Sequence, residues 1–135
     1  MVRTKLAHEV IGLAIKVHRK LGPGLFEAVY QQCLTYELVR AGHLVETEVP
    51  LKMTYEEMSF RCAYRADIIV DKELLIEVKS VETIHPVHHA QVLTYLRSSG
   101  IAQALLINFN STVLTKGLKS FLMNRSRGEP AIEDT

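Results

Sequence analysis

The stretch Arg65–Lys79, with the sequence RADIIVDKELLIEVK, decides the fold of this chain. Two short apolar runs flank a polar turn, which predicts an antiparallel hairpin. If the loop consists of Asp71–Glu73, Asp67 lies directly opposite Glu77, since side chains alternate along a strand with period two. Cross-strand partners are roughly 5 Å apart. The sequence therefore predicts two carboxylates close enough to share a divalent cation, with Lys79 beside them above the same face of the sheet.

The same residues also have purely structural interpretations. Asp67 could lie on the solvent side of an edge strand or pair with Arg65. Asp67, Glu77 and Lys79 could instead form a salt-bridge network, because a buried strand must satisfy any charge that it carries. The combination of two opposed acids with a neighbouring lysine favours a site that cleaves phosphodiesters.

Magnesium is the ion that fits this group best. It is a hard cation that is usually held by one or two carboxylates and several waters. Asp67 and Glu77 are the expected ligands, and the backbone carbonyl of Val78 is a further oxygen donor. A bound ion polarises the phosphodiester and lowers the pKa of an attacking water. Lys79 could orient that water or stabilise the growing negative charge.

Two flanking helices carry further candidates. Glu27 could be another metal ligand or could hold a metal-bound water; alternatively, an acid in the first helical turn simply complements the helix dipole. In the later helix, His88, Gln91 and Tyr95 form one stripe. Gln91 and Tyr95 could reach the active centre or a nucleic-acid backbone, and the alternative is a polar helix face that meets solvent.

Length and composition set limits on the class of protein. The chain has 135 residues, 47% hydrophobic and 23% charged, which fits a single domain over residues 1–123 with a polar, flexible tail over residues 124–135. No apolar run approaches the ~20 residues of a membrane span, and the charged N-terminus does not resemble a signal peptide. We therefore expect a cytoplasmic protein without membrane contact.

The net charge of +1 gives no global attraction to nucleic acid, so a local patch would have to bind phosphate. Basic residues near the proposed centre are the candidates, although they could equally be scattered surface charge. They are Arg61, Arg65, Lys72, Lys79, Arg97 and the histidines. Among them we expect Arg65, His88 and Arg61 to bind nucleic acid.

Neither the cysteines nor the histidines predict a zinc site. Cys33 and Cys62 lack CxxC spacing, and they fit buried thiols better than a disulfide or a metal site. His85, His88 and His89 do not have the spacing of a structural zinc site, and no cysteine is nearby.

Apolar periodicity divides the chain into helices and strands. The predicted helices cover residues 4–20, 25–40, 86–98 and 115–123. Outside the hairpin, the predicted strands cover residues 43–50, 51–55, 59–64 and 102–109. This order of elements predicts an α+β or α/β sandwich with a mixed sheet at its centre.

The motifs resemble those of the PD-(D/E)xK nuclease superfamily. Asp67 matches its first acid, Glu77-Val78-Lys79 matches its E-x-K, and Gln91 to Tyr95 resembles the Q-x-x-x-Y element of RecB-type members. Arg65-Ala66 stands where the superfamily name has a proline, a departure that many members share. More closely, Gly24–Tyr30, GLFEAVY, fits the signature of the GxxExxY family, which is assigned to that superfamily.

The resemblance covers most of the chain, from about Val10 to Phe121. It implies a restriction-endonuclease-like fold, a three-layer sandwich with a central mixed β-sheet flanked by helices. It also implies a nuclease centre that depends on Mg²⁺ or Mn²⁺.

We therefore expect a Mg²⁺-dependent nuclease that hydrolyses the phosphodiester bonds of DNA. The expected catalytic residues are Asp67, Glu77, Lys79, Glu27, Gln91 and Tyr95, and the expected metal ligands are Asp67, Glu77, Val78 and Glu27. Two other functions stay open: a catalytically inactive module that binds nucleic acid or protein on the same fold, and an enzyme that acts on RNA or a nucleotide. A domain this small contacts one strand site, which favours a homodimer, although no helix shows a self-complementary seam.

Overall fold

The computed structural model describes residues 4–124 and 129–133. The elements in chain order are α1 (Lys5–Leu21), α2 (Glu27–Arg40), β1 (Val45–Tyr55), β2 (Met58–Val70), β3 (Leu74–Lys79), α3 (Pro86–Ser99), β4 (Gln103–Asn108), a 3₁₀ turn (Leu114–Gly117), β5 (Leu118–Asn124) and β6 (Glu129–Glu133). The strands form one six-stranded sheet in the order β1-β2-β3-β4-β5-β6.

The sheet is mixed and carries a core on each face. β3 and β4 are parallel and are connected through α3, whereas the other neighbouring strands are antiparallel. Helices α1 and α2 pack on one face, where the core includes Leu34 and Ile76. Helix α3 packs on the other, with Leu75 and Leu96. This arrangement of helices on both faces of a mixed sheet confirms the predicted fold class.

The helix boundaries follow local signals in the sequence. The side chain of Thr4 accepts a hydrogen bond from the N–H of Ala7 and so caps α1, as its position before the apolar stripe predicts. α3 begins at Pro86 and ends before Gly100, whose φ of 78° lies in the left-handed region.

Strand β1 is longer than predicted. We expected one strand to end at Pro50 and another to cover residues 51–55, but β1 runs through Pro50 from Val45 to Tyr55. β1 is at the edge of the sheet, so a residue without an N–H is tolerated there. The register with β2 shifts directly afterwards, between Pro50 and Lys52.

The predicted helix over residues 115–123 is wrong, because a 3₁₀ turn and then β5 occupy this segment. Leu118 packs in the core beneath α1 and α2, and Phe121 packs in the core beneath α3. A three-residue spacing is typical of a helix face, but along a strand it places two side chains on opposite faces of the sheet. β4 also needs a hydrogen-bonding partner on this side, which β5 supplies.

Residues 129–133, within the expected tail, form β6 and pair with β5, whereas residues 125–128, 134 and 135 lie outside the described residues. Cys33 is a half-buried free thiol, and the side chain of Cys62 lies outside the described part of the chain. None of the helices among the described residues is long and apolar enough to cross a bilayer.

Candidate active site

Asp67 and Glu77 face each other across the hairpin of β2 and β3, as the loop length predicts. Ile68 pairs with Ile76, which makes the two acids the next opposed positions. At this pair of positions, carboxylate oxygens accept the hydrogen bonds that backbone carbonyls accept elsewhere between the strands. The N–H of Asp67 donates to Oε1 of Glu77 at 3.1 Å, and the N–H of Val78 donates to Oδ2 of Asp67 at 2.7 Å. Each carboxylate is thus fixed by a backbone donor of the opposite strand.

Asp67 also has a neighbour on the other side, Glu48 of β1, whose backbone conformation is unusual for a strand. Glu48 stands opposite Asp67 in the register of the flanking pairs, and its φ is 52°. A left-handed φ at a residue other than glycine is strained, and such residues cluster at functional sites. The side-chain amide of Gln31 donates to Oε1 of Glu48 at 3.1 Å and to the carbonyl of Asp67 at 3.2 Å. The regular ladder therefore opens on both sides of Asp67.

Burial controls the charge state of the two acids. It raises the pKa of Asp67 to about 6, although a hydrogen bond from the Val78 N–H and the charge of Lys79 oppose it. Burial and then the negative charge of Asp67 raise the pKa of Glu77 to about 8. Glu77 is only 3% exposed. Because two adjacent buried carboxylates resist ionising together, the pair favours a shared proton or a cation at neutral pH.

Lys79 supplies a positive charge that acts on both acids. It opposes the effect of burial on both carboxyls and lowers their pKa values, so its ammonium lies within electrostatic reach of Asp67 and Glu77. Lys79 forms no ion pair with any residue in the described part of the chain. The salt-bridge network that the sequence also allowed is therefore not formed among these residues.

Glu27 is held next to the end of β3. The N–H of Ser80, the residue after Lys79, donates to Oε2 of Glu27 at 3.3 Å. The hydroxyl of Ser80 donates to the carbonyl of Leu25 at 2.5 Å, just before α2 begins. These two contacts dock the start of α2 on the end of the strand that carries Glu77.

Tyr30 fixes the loop that precedes Glu27. Its hydroxyl accepts a hydrogen bond from the N–H of Leu25 at 3.1 Å and donates to the carbonyl of Gly22 at 2.5 Å. Its buried ring stacks on Phe109 with 4.5 Å between the ring centroids. Gly24 in this loop has a φ of 95°, which side chains rarely adopt. The glycine and tyrosine of GLFEAVY thus place its glutamate.

The end of β4 holds the other side of this segment. The N–H of Phe109 donates to the carbonyl of Lys79 at 2.8 Å. The side-chain amide of Asn108 accepts from the N–H of Val81 at 3.1 Å and donates to its carbonyl at 2.8 Å. The backbone that follows Lys79 is therefore fixed from both α2 and β4.

Tyr95 is buried under the sheet, and its pKa is raised by burial and then by the charges of Glu46 and Glu77. Tyr95 is 2% exposed, and its hydroxyl donates to the carbonyl of Val49 at 3.3 Å. Its ring packs edge-on against Tyr64 with 5.8 Å between centroids. Burial, and then the charge of Glu77 and a hydrogen bond with it, raise the pKa of Tyr64. Tyr95 therefore neighbours the acids through Tyr64, while Gln91 is half-buried one turn earlier.

The structure separates the three residues expected to bind nucleic acid. His88 lies near the centre: burial and then the charge of Lys79 lower its pKa, and its Nδ1 accepts from the N–H of His85 at 3.2 Å. Arg65 is exposed on β2, two residues before Asp67. Arg61 is exposed farther along the strand and lines a groove against the end of α3.

Comparison with known proteins gives one result at the level of the superfamily. A family model described as the PD-(D/E)XK nuclease superfamily matches residues 4–121, which is most of the chain. The chain belongs to the PD-(D/E)XK nuclease superfamily. No curated protein and no solved structure gives a significant match. The finer assignment to the GxxExxY family stays a prediction.

PD-(D/E)XK nucleases generally use divalent metals, and the chemistry of Asp67 and Glu77 fits such an ion. Both offer hard carboxylate oxygens, and because burial raises the pKa of each carboxyl, a cation bound beside them would stabilise their charged forms. Among the described residues, no three His, Cys, Asp or Glu side chains are close enough to hold an ion. A PD-(D/E)XK centre here would therefore rely on two carboxylates with water or backbone oxygens, which is usual for Mg²⁺.

Four residues beside this PD-(D/E)XK centre were not found from the sequence. They are Gln31, Glu48, Tyr64 and Ser80. Ser80 directly follows the E-x-K motif, and Gln31 lies one helical turn after Glu27, so both had a positional signal. The strained φ of Glu48 and the approach of Tyr64 to the acids depend on how β1, β2 and α3 pack, which no local pattern reveals.

Proposed function

We propose that this protein is a metal-dependent nuclease that hydrolyses the phosphodiester bonds of DNA, with Mg²⁺ or Mn²⁺ as cofactor. The observation that carries the proposal is the pair Asp67 and Glu77, opposed across one hairpin, largely buried and with raised pKa values. Membership of a nuclease superfamily supports the reaction class. That the substrate is DNA and not RNA is a further element of the proposal, beyond the reaction class.

Asp67 and Glu77 would hold the cation, with Glu27 placed to bind a water at its side. When bound, the ion supplies Lewis acidity towards the phosphodiester and towards the attacking water. In the net reaction, an oxygen of water bonds to phosphorus, the bond from phosphorus to the leaving oxygen breaks, and that oxygen gains a proton.

The positive charge of Lys79 lowers the pKa values of both acids. Lys79 itself forms no ion pair with a described residue. We assign it to the phosphate: a compact ammonium stabilises negative charge that grows on the phosphoryl oxygens. Tyr64 and Tyr95 position Glu77 by excluding water from one side of it. Gln91 is assigned to the substrate side of α3, where it would contact the strand that is cleaved.

The test is cleavage of plasmid DNA, linear DNA and RNA by purified protein with Mg²⁺, Mn²⁺ or EDTA. We expect metal-dependent cleavage that Asp67→Asn and Glu77→Gln each reduce by about 10³-fold or more, since each removes a group that acts on the transition state. Glu57→Gln, in the exposed turn between β1 and β2, is the matched control. Unchanged cleavage by both variants would exclude this site.

A magnesium titration by calorimetry separates the proposal from the catalytically inactive alternative. The nuclease should bind Mg²⁺ or Mn²⁺, and Glu77→Gln should lose that binding. A protein that binds nucleic acid without metal uptake and without cleavage is a binding module. We further propose a homodimer, since one domain of this size reaches a single strand, and sedimentation velocity tests it.

A further inference from the structure

The outer side of helix α2 is apolar. Tyr30, Leu34 and Leu38 are the buried residues of this helix, and they face the core. The exposed residues of the same helix are mostly apolar: Ala28, Val29, Gln32, Tyr36, Val39 and Arg40. A surface helix normally carries polar and charged residues on the side away from the core. The outer side of α2 therefore suits contact with another protein surface better than contact with water.

The neighbouring helix α1, which packs on the same side of the sheet, shows the normal pattern. Apart from Gly12, its exposed residues are charged residues and a histidine: Lys5, His8, Glu9, Lys16, Arg19 and Lys20. Sequence periodicity does not separate the two helices in this way, because apolar residues occur on both sides of α2 and only burial shows which side faces the core.

We call the surface formed by Leu25, Phe26, Val29, Tyr36 and Val39 the α2 face. Their exposed fractions are 39%, 86%, 37%, 60% and 56%. An aromatic side chain can bury about 200 Å², so with the aliphatic side chains the α2 face exposes about 500 Å² of mostly apolar surface. Two such faces in contact would bury about 1,000 Å², which is the area from which specific protein interfaces begin.

A groove lies beside the C-terminal half of α2, between this helix and α1. It has a volume of about 490 Å³. Val17 and Leu21 line it from α1, and Cys33 and Tyr36 line it from α2. Arg40 also borders the groove, and its guanidinium lies 5.7 Å from the centre of the Tyr36 ring. The groove thus offers an apolar floor with a cation at its edge.

Phe26 and this groove lie towards opposite ends of α2 and on the same side of it. Phe26 precedes Cys33 by seven residues and Arg40 by fourteen, which is about two and four helical turns, so the three residues follow one line along the helix. A second copy that runs antiparallel, about a two-fold axis near Gln32, brings the Phe26 of each copy over the groove of the other. Each copy then supplies one ring and one groove, which is the self-complementary arrangement of an isologous dimer.

The charges of α2 allow this pairing. Its acids are occupied elsewhere, since Glu37 pairs with Lys16 at 2.9 Å and Glu27 accepts the N–H of Ser80. Within α2, all of which the structure describes, Arg40 is the one charged residue that is exposed. In the antiparallel pair the two copies of Arg40 are about 25 Å apart along the helices, so the contact brings no like charges together.

We propose that a second copy of this chain packs antiparallel on the α2 face, with Phe26 of each copy in the groove of the other beside Tyr36, and Leu25 against Val39. The inference names the surface of the homodimer proposed above, and it does not depend on cleavage or on a bound metal. Because Phe26 directly precedes Glu27, the contact would hold the start of α2 at both candidate centres.

The test is sedimentation velocity of the full chain in EDTA without nucleic acid, from about 1 to 100 μM, the range that suits an interface of this size. We expect a dimer that Phe26→Glu and Tyr36→Glu each weaken by about thirtyfold or more, since each removes a central aromatic contact. Both residues are exposed, and urea denaturation of each variant verifies that the fold is kept.

Two controls are matched by residue type and exposure. Tyr55→Glu removes a 64% exposed ring from β1, and it is compared with Tyr36→Glu. Val87→Glu changes a 55% exposed valine of α3, and it is compared with Val39→Glu. Neither control residue belongs to the α2 face, so both control variants should dimerise like the wild type.

Mixing two variants tests the antiparallel arrangement. Phe26→Lys and Tyr36→Glu should each dimerise weakly alone. In the mixed dimer the introduced lysine meets the introduced glutamate at one contact, and the other contact keeps Phe26 and Tyr36. The mixture should therefore dimerise about tenfold more tightly than either variant alone.

Four results would overturn the inference. A wild type that stays monomeric throughout the range excludes the dimer, and a mixture that gains no affinity excludes the antiparallel contact. If the Phe26 and Tyr36 variants dimerise like the wild type, any homodimer uses another surface, and only the broader homodimer proposal survives. A monomer that floats with phosphatidylcholine–phosphatidylserine vesicles, and loses this binding in Phe26→Glu, would show that the α2 face meets a membrane instead. A dimer that behaves as expected but cleaves no nucleic acid would leave this inference standing while the nuclease proposal fails.

Discussion

Replacing Glu77 with glutamine tests the electrostatics of the site without relying on activity. Glu77 is the more buried of the two acids, and burial followed by the charge of Asp67 raises its pKa to about 8 from 4.5. Glutamine has nearly the same shape, and its Oε1 can still accept the N–H of Asp67. The substitution therefore removes the charge and keeps the packing.

The magnitude follows from the shift in pKa. Between about pH 4.5 and pH 8 the folded chain holds a proton on Glu77 that the unfolded chain has released. The free energy of unfolding therefore falls as the pH rises through this window, at up to about 1.4 kcal/mol per pH unit. The upper limit is about 5 kcal/mol over the window, and because entry of water reduces the cost of ionisation, we expect about 2–5 kcal/mol.

The assay is urea denaturation of the wild type and of Glu77→Gln at pH 5, 7 and 9 in EDTA. We expect the two proteins to be similar at pH 5, because the carboxyl is protonated in the folded state there. At pH 9 the variant should be more stable. Added Mg²⁺ should stabilise the wild type at pH 9, since the ion binds only the folded state, and should not stabilise the variant.

Glu57→Gln provides the control, because Glu57 is exposed in the turn between β1 and β2 and its replacement removes a carboxylate from the surface of the protein. The Glu57→Gln protein should follow the wild type at all three pH values. A stability difference between the wild type and Glu77→Gln that does not change from pH 5 to pH 9 would refute the reasoning. A variant that is less stable than the wild type at pH 9 would refute it too.

Two further predictions concern stability away from the site. The ring of His43 lies 2.9 Å from Oε1 of Glu9 and 2.7 Å from Oδ2 of Asp71, and these hydrogen bonds raise its pKa above 6.5. The stabilisation by these hydrogen bonds is present in full below pH 6.5 and is lost as the pH rises through the higher pKa of the folded state. Replacing His43 with glutamine should therefore lower the free energy of unfolding by about 1 kcal/mol at pH 6 and by less at pH 9, as measured by urea denaturation. An equal loss at both pH values would contradict this prediction. Gly117→Ala would place a Cβ atom 2.7 Å from a backbone carbonyl oxygen and should lower the free energy of unfolding by roughly 1–3 kcal/mol. Gly12→Ala is the matched control, because a Cβ atom at this position in the middle of α1 meets nothing within 4 Å. Thermal denaturation should show that this replacement raises the free energy of unfolding by about 0.5–1 kcal/mol. If it instead lowers the free energy of unfolding as much as Gly117→Ala does, the close contact at Gly117 is not the cause.

The opposition of Asp67 and Glu77 could be predicted because it is local. Alternation along a strand and the length of one turn determine which residues of a hairpin face each other, and both are visible within fifteen residues of sequence. The cap at Thr4 and the helix end at Gly100 were predictable for the same reason, since a cap depends on the residue itself and on its immediate neighbours.

The contacts that complete the candidate site depend on residues far apart in the chain. Glu27 is hydrogen-bonded to Ser80, 53 positions away, and Gln31 reaches Asp67 across 36 positions. Neither contact leaves a periodic signal, because each results from how α2 packs against the sheet. The burial of the Tyr95 ring against Tyr64 also depends on how α3 packs on the sheet, so the spacing of residues alone does not reveal it.

The sequence by itself determined the helices with clear caps, the hairpin and the pairing of its two acids, because these depend on interactions between near neighbours. Only the tertiary structure decided that residues 118–124 form a strand, that β2 extends past its pairing with β3, and that the acids are buried enough to raise their pKa values. Burial and strand partnership are properties of the packed sheet, so they arise only when distant segments come together.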